Sequence, residues 1–376
     1  PAVNQKNMKI LIFNWQDIKN PLGGGAEVHL HQIFSRVAKL GHEVTLYCSS
    51  FEGAPSMETI DGIKIIREGG RNLFNFYVPW RYVTRFRKEQ FDVVIDDMNK
   101  IPFFTPLYVR EPLFLIIHHL FDKSIFREIS FPAAIYVYMM EKFGVALARW
   151  NKIPLMVVSQ STEQEMLRHG YRKVDIKFAY NCVDHKVHQL PPVPKKSKKL
   201  IGYFGRLKKY KSVDHLLRAF VRVKHEVPDA SVVIVGGGDY RLQLEALTNA
   251  LGISSSVRFT GYVSEEEKVH LLQEMLFMVN TSAKEGWGLT VIEANACGTP
   301  VLGSNVPGLR DAIKNHETGL LYEYGNIEEL SAKMLLLLDD EELRNKLTEG
   351  AIAWSKTFDW DVVAKQTIKT IQERIS

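Results

Sequence analysis

Two glutamates eight residues apart, Glu285 and Glu293, stand on either side of a helix start in the run KEGWGLTVIEANACGTP, residues 284–300. Gly286 and Gly288 flank Trp287, and from Leu289 and Thr290 an apolar stretch without Gly or Pro reaches Cys297, which predicts a helix. The first amides of a helix have no partner within it and carry the positive end of its dipole, so they suit a phosphate or a group of sugar hydroxyls. Glycine lets such a ligand approach the backbone. One carboxylate in the entry loop and another two turns into the helix can accept hydrogen bonds from two parts of one long ligand. Taken alone, two glutamates at this spacing are more often solvated surface groups.

A second group is cationic. Gly205-Arg206-Leu207 follows the apolar run 200–204, and Lys211 comes five residues after Arg206, ahead of a helix predicted over 213–225. Paired Arg and Lys donors stabilise the charge that develops on a departing diphosphate. In the first half of the chain, Gly23, Gly24 and Gly25 lie between a predicted strand and a predicted helix, where bare amides can meet an anion. His118 and His119 close the apolar run 113–117. A histidine at the carboxyl end of a parallel strand stands where open α/β sheets bind ligands.

The order of these runs resembles glycosyltransferase family 4, whose signature sets Glu, seven residues and Glu in an EGFGL-type loop and helix, with Trp287 here in the usual Phe position. The same family carries a GGAE-type loop and a GHEV-type strand, matched by Gly23 to Glu27 and by Gly41-His42-Glu43-Val44. Weaker matches are Asn181-Cys182-Val183-Asp184, Gly236-Gly237-Gly238-Asp239 and Pro307-Gly308-Leu309-Arg310-Asp311. Departures are Ser212, Cys182 and Asp311, where the family has Gly, Gly and Glu. The resemblance implies that Glu285 holds the transferred sugar near its reacting carbon, with His118 beside that carbon and His119 the alternative. It implies that Glu293 takes the ribose hydroxyls of the nucleotide. Donor contacts would come from Gly24, Gly25, Arg206, Lys211, Gly286, Trp287, Gly288, Leu289 and Thr290.

The elements that must position these residues read as two α/β halves. At 376 residues the chain exceeds what one core fills, which makes two domains the expectation. Apolar strands alternate with helical patterns in each half, as in a parallel sheet covered by helices. The expected fold is the GT-B architecture that the resemblance implies, two Rossmann-like doubly wound domains facing across a cleft. The boundaries read as 1–190 on the acceptor side, a Pro/Lys-rich linker over 191–199, a donor-side domain over 200–355 and a last helix within 356–376 crossing back to the first domain. Residues 1–7 read as a tag remnant ahead of Met8, with no secretion signal visible.

Three scattered cysteines (Cys48, Cys182, Cys297) suit neither a disulfide framework nor a zinc cage and point to a reducing cytoplasm. The net charge of +5 lies in the first half, where residues 1–190 hold 24 Lys and Arg against 19 Asp and Glu. With no zinc-finger spacing, RNP-type motif or long basic run, nucleic acid is a poor partner for so small an excess. No apolar run approaches the roughly 20 residues that span a bilayer.

Retaining transfer is what the resemblance implies, from a UDP- or GDP-linked sugar to an acceptor hydroxyl on a glycan or lipid-linked glycan. The reading is of a hexosyltransferase-type enzyme without other cofactor. Asp96-Asp97 and Asp339-Asp340 read as structural or solvated pairs, and no metal is required. Arg81, Arg85 and Lys88 are expected to share a helical face within an aromatic-rich region and to touch anionic lipid at the inner face of a membrane. Rival readings are a nucleotide-sugar isomerase or epimerase of the same architecture and a sugar-binding protein without chemistry.

Overall fold

The computed structural model describes residues 7–98, 101–127, 129–192, 196 and 199–375. Residues 1–6 of the expected tag remnant and positions 193–195, 197 and 198 of the expected linker lie outside the described residues. The chain divides into two compact units, one ending at Asn181 and taking back the segment from Trp360, the other formed by Cys182–Asp359.

The first unit is built on eight strands: β1 (Lys9–Phe13), β2 (Glu43–Ser49), β3 (Met57–Ile60), β4 (Ile63–Glu68), β5 (Val93–Met98), β6 (Leu113–Ile117), β7 (Leu155–Val157) and β8 (Ile176–Phe178). They pair in the order β3-β4-β2-β1-β5-β6-β7-β8, all parallel except β3, which turns back on β4. Strands β1 and β6 are apolar runs buried on both faces, as a sheet covered by helices on each side requires, and β5 is buried along its whole length although it carries Asp96 and Asp97. The helix Gly25–Lys39 covers one face, and the last helix, Trp360–Ile375, packs beside it.

The second unit has six parallel strands: β9 (Leu200–Phe204), β10 (Ser231–Val235), β11 (Val257–Gly261), β12 (Phe277–Asn280), β13 (Val301–Ser304) and β14 (Gly319–Tyr322). Their order, β11-β10-β9-β12-β13-β14, places the first strand centrally with the chain running outward on either side. That is the doubly wound pattern, and the order reverses between β9 and β12. In the first unit the same reversal falls between β1 and β5. Each reversal opens a crevice at the strands' carboxyl ends, and the loops after these four strands carry most of the residues singled out above.

The expected common face of Arg81, Arg85 and Lys88 does not form. The helix Phe74–Thr84 stops before Arg85, and Phe86–Lys88 is a separate 3₁₀ turn. Arg81 is paired with Glu68, and Arg85 with Glu89 at 2.8 Å. No described helix is long and apolar enough to cross a membrane.

Candidate functional site

In the second unit the chain leaves β9 through Gly205 into the exposed Arg206, then makes a 3₁₀ turn over Lys209–Lys211. Backbone bonds fix this loop, with Gly205 N–H on Val235 O at 3.1 Å and Leu207 N–H on Gly237 O at 2.8 Å. Gly236 stands with φ +127, and a Cβ there would come within 2.0 Å of the Gly205 carbonyl oxygen, so only glycine allows the two loops to touch. The turn is also tied to the loop after β12: Thr281 Oγ1 donates to Lys211 O at 2.9 Å, and Ala283 N–H to Tyr210 O at 2.8 Å.

These ties bring Lys211 onto Glu285. The ammonium is ion-paired with Glu285 Oε1, which also accepts from Ser282 Oγ at 2.7 Å. Burial disfavours the charged lysine, but Glu285 outweighs it and raises the Lys211 pKa, while the like charge of Arg206 pushes the other way. The sequence reading gave Lys211 to a phosphate and Glu285 to a sugar; the fold makes them one charged unit.

From Glu285 the chain passes Gly286 and Trp287 to Gly288, which has φ +96 and caps the helix Leu289–Ala296. The amides of Leu289 and Thr290 lie in the first turn, where a helix offers its own N–H groups no acceptor. Trp287 is turned inward, its ring 5.0 Å from that of Phe358, so contact with a ligand at this position would come from the backbone. Gly308, at φ +84, backs the loop so closely that a Cβ would sit 2.2 Å from Glu285 O.

Glu293 lies on the same helix, 2.8 Å from Lys268 Nζ and 3.8 Å from His188 Nε2. Glu265 completes the group, 3.1 Å from His188 and 3.3 Å from Lys268. The His188 contact, ahead of the opposing effect of burial and the attraction of Lys268, brings the Glu265 carboxyl down to about 2. Donor atoms of His188, Glu265 and Glu293 fall within 4.8 Å of one another, a spacing that suits a cation, and the Lys268 ammonium already supplies one. Sequence reasoning named Glu293 alone. His188 and Lys268 gave no signal because each comes from a distant segment without a motif.

In the first unit the loop after β1 ends at Gly24, which precedes the first helical residue, Gly25. Gly24 N–H donates to Glu27 Oε2 at 2.6 Å, so the helix's own glutamate closes its entry loop. Further back, Asp17 is clasped by Arg67 through two bonds of 2.6 and 2.9 Å, both side chains fully buried. Burial opposes the Asp17 charge, and the Arg67 bonds outweigh it and lower its pKa.

His118 follows β6 and is buried, its Nε2 3.0 Å from Asp97 Oδ1 on β5, a close contact without hydrogen-bond alignment. Desolvation pushes the His118 pKa down; Asp97 and Glu27 outweigh it and raise it. The His29 ring meets His118 edge-on at 5.0 Å and donates from Nε2 to Ala179 O at 2.7 Å. Burial, then the nearby His118, holds His29 down to about 3, a neutral imidazole. His119 instead lies half-buried against Phe121, with ring centres 4.9 Å apart.

Of the two readings given to Asp96 and Asp97, structural or solvated, the structure supports the structural one. Both are buried: Asp96 accepts from Thr105 Oγ1 at 2.6 Å, and Asp97 faces His118. A signal for Asp97 was present, since alternation along β5 sends two consecutive aspartates to opposite faces and one of them must meet the residue that follows the neighbouring strand.

Sequence comparison joins these observations. Residues 23–187 match the family described as "Glycosyltransferase Family 4", and residues 188–354 match "Glycosyl transferases group 1". The two matches meet at 187/188 and take in the loops that carry Gly24, His118, Arg206, Lys211 and Glu285. The chain belongs to glycosyltransferase family 4. N-acetyl-alpha-D-glucosaminyl L-malate synthase of Bacillus anthracis is 31% identical over 47% of this chain and 48% of its own length. A D-inositol 3-phosphate glycosyltransferase of Corynebacterium urealyticum is 32% identical over 46% of this chain and 42% of its own. The chain thus spans under half the length of these curated relatives. An uncharacterized glycosyltransferase of Methanocaldococcus jannaschii, MJ1607, aligns at 25% identity over 96% of this chain and 97% of its own. Among solved structures, sucrose-phosphate synthase of Thermosynechococcus elongatus superposes with a TM-score of 0.81 at 18% identity, covering 98% of this glycosyltransferase and 99% of that chain. Anabaena HepE in complex with UDP-glucose gives 0.78 at 19% identity, covering 98% and 100%. At those identities the likeness shows the fold, GT-B with two Rossmann-like domains.

Proposed function

We propose that this glycosyltransferase moves a hexosyl group, with retention of configuration, from a nucleoside-diphosphate sugar to a hydroxyl of a glycan or lipid-linked glycan. One observation carries the reading. Lys211 and Glu285 form a charged unit beside Arg206, immediately ahead of the open first turn of Leu289–Ala296. A diphosphate finds there two cations and unpaired amides, and a sugar hydroxyl finds a carboxylate. Anabaena HepE, of the same fold, is described in complex with UDP and with UDP-glucose, which supports a UDP-linked donor ahead of a GDP-linked one.

In this reading the bond from the anomeric carbon to the diphosphate oxygen breaks while the acceptor oxygen bonds to the same face. The acceptor's proton passes to the departing phosphate. The protein contributes orientation and charge complementarity more than a strong base. Arg206 and Lys211 take the leaving charge, Glu285 orients the sugar, and Glu293 accepts from the ribose hydroxyls while Lys268 holds it. His118, whose pKa Asp97 and Glu27 raise, is the first unit's catalytic group, and Gly24 and Gly25 offer amides to phosphate or acceptor. No metal is needed where two cations already serve the diphosphate. Work on a lipid-linked acceptor would place the enzyme on the cytoplasmic face of a membrane, in peripheral contact with it.

A thermal-shift panel of nucleoside diphosphates names the base. Incubation with the matching sugar donor, with and without acceptor and with EDTA, then tests the chemistry. The expected result is an acceptor-dependent product with the donor's anomeric configuration, unaffected by EDTA. An inverted product sinks retention, and conversion of the donor alone favours an isomerase.

A further inference from the structure

The helix Phe131–Trp150 is apolar on its outer side as well as on its buried one. Its buried side holds Ala134, Val137, Glu141, Gly144, Val145, Leu147 and Ala148, while Phe131, Ile135, Met139 and Phe143 succeed one another every four residues on its outer side. At that spacing the four side chains form one continuous ridge. Phe131 is 68% exposed, and Trp150, closing the helix on the same arc, 84%. Twenty residues give a ridge about 30 Å long. An apolar face of this extent on a water-soluble surface marks an interaction site.

What covers it follows from charge. The helix has one acidic residue, Glu141, which is buried and accepts from the amides of Phe121 and Asp122 at 2.7 and 2.8 Å. Its other two charged residues, Lys142 and Arg149, are basic and lie on one edge of the ridge, Lys142 3.3 Å from Asp122 Oδ1. Beyond Trp150 the ridge opens into a pocket of about 210 Å³ lined by Arg149, Lys152, Tyr171, Arg172 and a single carboxylate, Asp175. That carboxylate is already held by Arg172 at 2.7 and 3.0 Å. An apolar ridge ending in a Trp and a cationic pocket is complementary to lipid, with acyl chains along the ridge and an anionic headgroup in the pocket.

We infer that Phe131–Trp150 is a membrane-docking helix that lies in the plane of an anionic bilayer, with Arg149 and Lys152 of the pocket taking a phospholipid headgroup. This deepens the membrane contact proposed above and moves it away from Arg81 and Arg85, whose charges are met by Glu68 and Glu89. It does not depend on which nucleotide the second unit holds.

Vesicles of phosphatidylcholine alone and with phosphatidylglycerol test it by co-sedimentation. Three proteins are compared: the wild type, the ridge variant Met139→Glu/Phe143→Glu and the pocket variant Arg149→Glu/Lys152→Glu. The wild type should partition at least tenfold more strongly onto the anionic vesicles. The ridge variant should lose binding to both kinds, and the pocket variant should fall to the level seen with phosphatidylcholine. Because the altered side chains are exposed, melting temperatures should match the wild type; a variant that melts early is replaced by Met139→Ser/Phe143→Ser or Arg149→Gln/Lys152→Gln. Equal recovery of the wild type on both vesicles, or either folded variant binding like the wild type, overturns the inference. So does a wild-type dimer in sedimentation velocity that the ridge variant dissociates, since a second copy would then cover the ridge. The nucleotide-induced thermal shift is read on the same samples. Its absence with vesicle binding intact removes the donor reading and leaves the docking surface standing; the reverse result removes the docking surface alone.

Discussion

Oε1 of Glu285 accepts from both Lys211 and Ser282, so its carboxylate is oriented before any ligand arrives. Glu285→Ala removes that acceptor and also leaves the largely buried Lys211 charge uncompensated, whereas Arg206→Ala removes an exposed cation and leaves the fold untouched. Each should lower turnover by more than about tenfold, in line with the loss of one preorganised transition-state contact. Steady-state kinetics checks this beside a thermal melt, and an unchanged rate in either variant removes that residue from the chemistry. His118 gives a second prediction. Its pKa is lowered by desolvation and raised by Asp97 and Glu27, with a net rise. Asp97→Asn removes the largest favourable influence, so the imidazolium should deprotonate at lower pH, seen as a downward shift of the His118 ring titration by NMR. Since a raised histidine pKa stabilises the fold below about 6.5 and loses that effect as pH rises through the folded value, the variant should also lose stability on the acid side. A His118 titration that does not move means that Asp97 only fills space.

Elements were legible in proportion to how far one periodicity governs them. Leu113–Ile117, Leu200–Phe204 and Ser231–Val235 are plain from the sequence because each is an apolar run buried on both faces between helical patterns. Met57–Ile60 was missed because it alternates between exposed and half-buried positions on an edge and pairs antiparallel to its neighbour. Three-residue Ile176–Phe178 is too short to carry a period. The site loops were legible through their glycines, although the reason for those glycines was not. Gly236 and Gly308 do not touch a ligand to do their work; each presses its backbone onto a loop that carries Arg206 or Glu285. Gly308→Ala would place a Cβ within 2.2 Å of Glu285 O at a positive φ. A backbone at this φ and ψ costs of order 1–3 kcal/mol for a residue with a Cβ. A urea melt should show at least that loss, together with a larger donor KM as the Glu285 loop moves aside. If KM is unchanged, the loop does not depend on this contact.

At the scale of the molecule, the second unit holds 22 Lys and Arg against 23 Asp and Glu over residues 182–359 and pairs Lys211 with Glu285 and Lys268 with Glu293, though it sets Lys196 against the Thr299 hydroxyl, while the first buries ionisable groups that are only partly matched. Asp96 is the clearest case. Burial raises its carboxyl to about 7, with the Thr105 hydrogen bond opposing and the nearby Asp97 adding to the rise. An unfolded aspartate titrates near 3.9, so between about pH 4 and pH 7 the native chain binds a proton that the unfolded chain does not, and stability falls as pH rises through that window. His29, held down to about 3, acts with the opposite sign: below about 6.5 the unfolded chain takes a proton that the native chain refuses, and stability falls as pH drops. Between about pH 4 and 6.5 the two slopes offset. Below that window only the loss remains, steepened as Asp17 and Glu265 give up their paired charges. Asp96→Asn separates these effects, because an amide keeps the shape of the protonated acid and cannot ionise. Its melting temperature should match the wild type near pH 4 and rise above it progressively to pH 8. The folded value of about 7 sets an upper bound of about 4 kcal/mol on that gap. A gap of constant size across the range would mean that the buried carboxyl does not titrate there, and the offset with His29 would go with it.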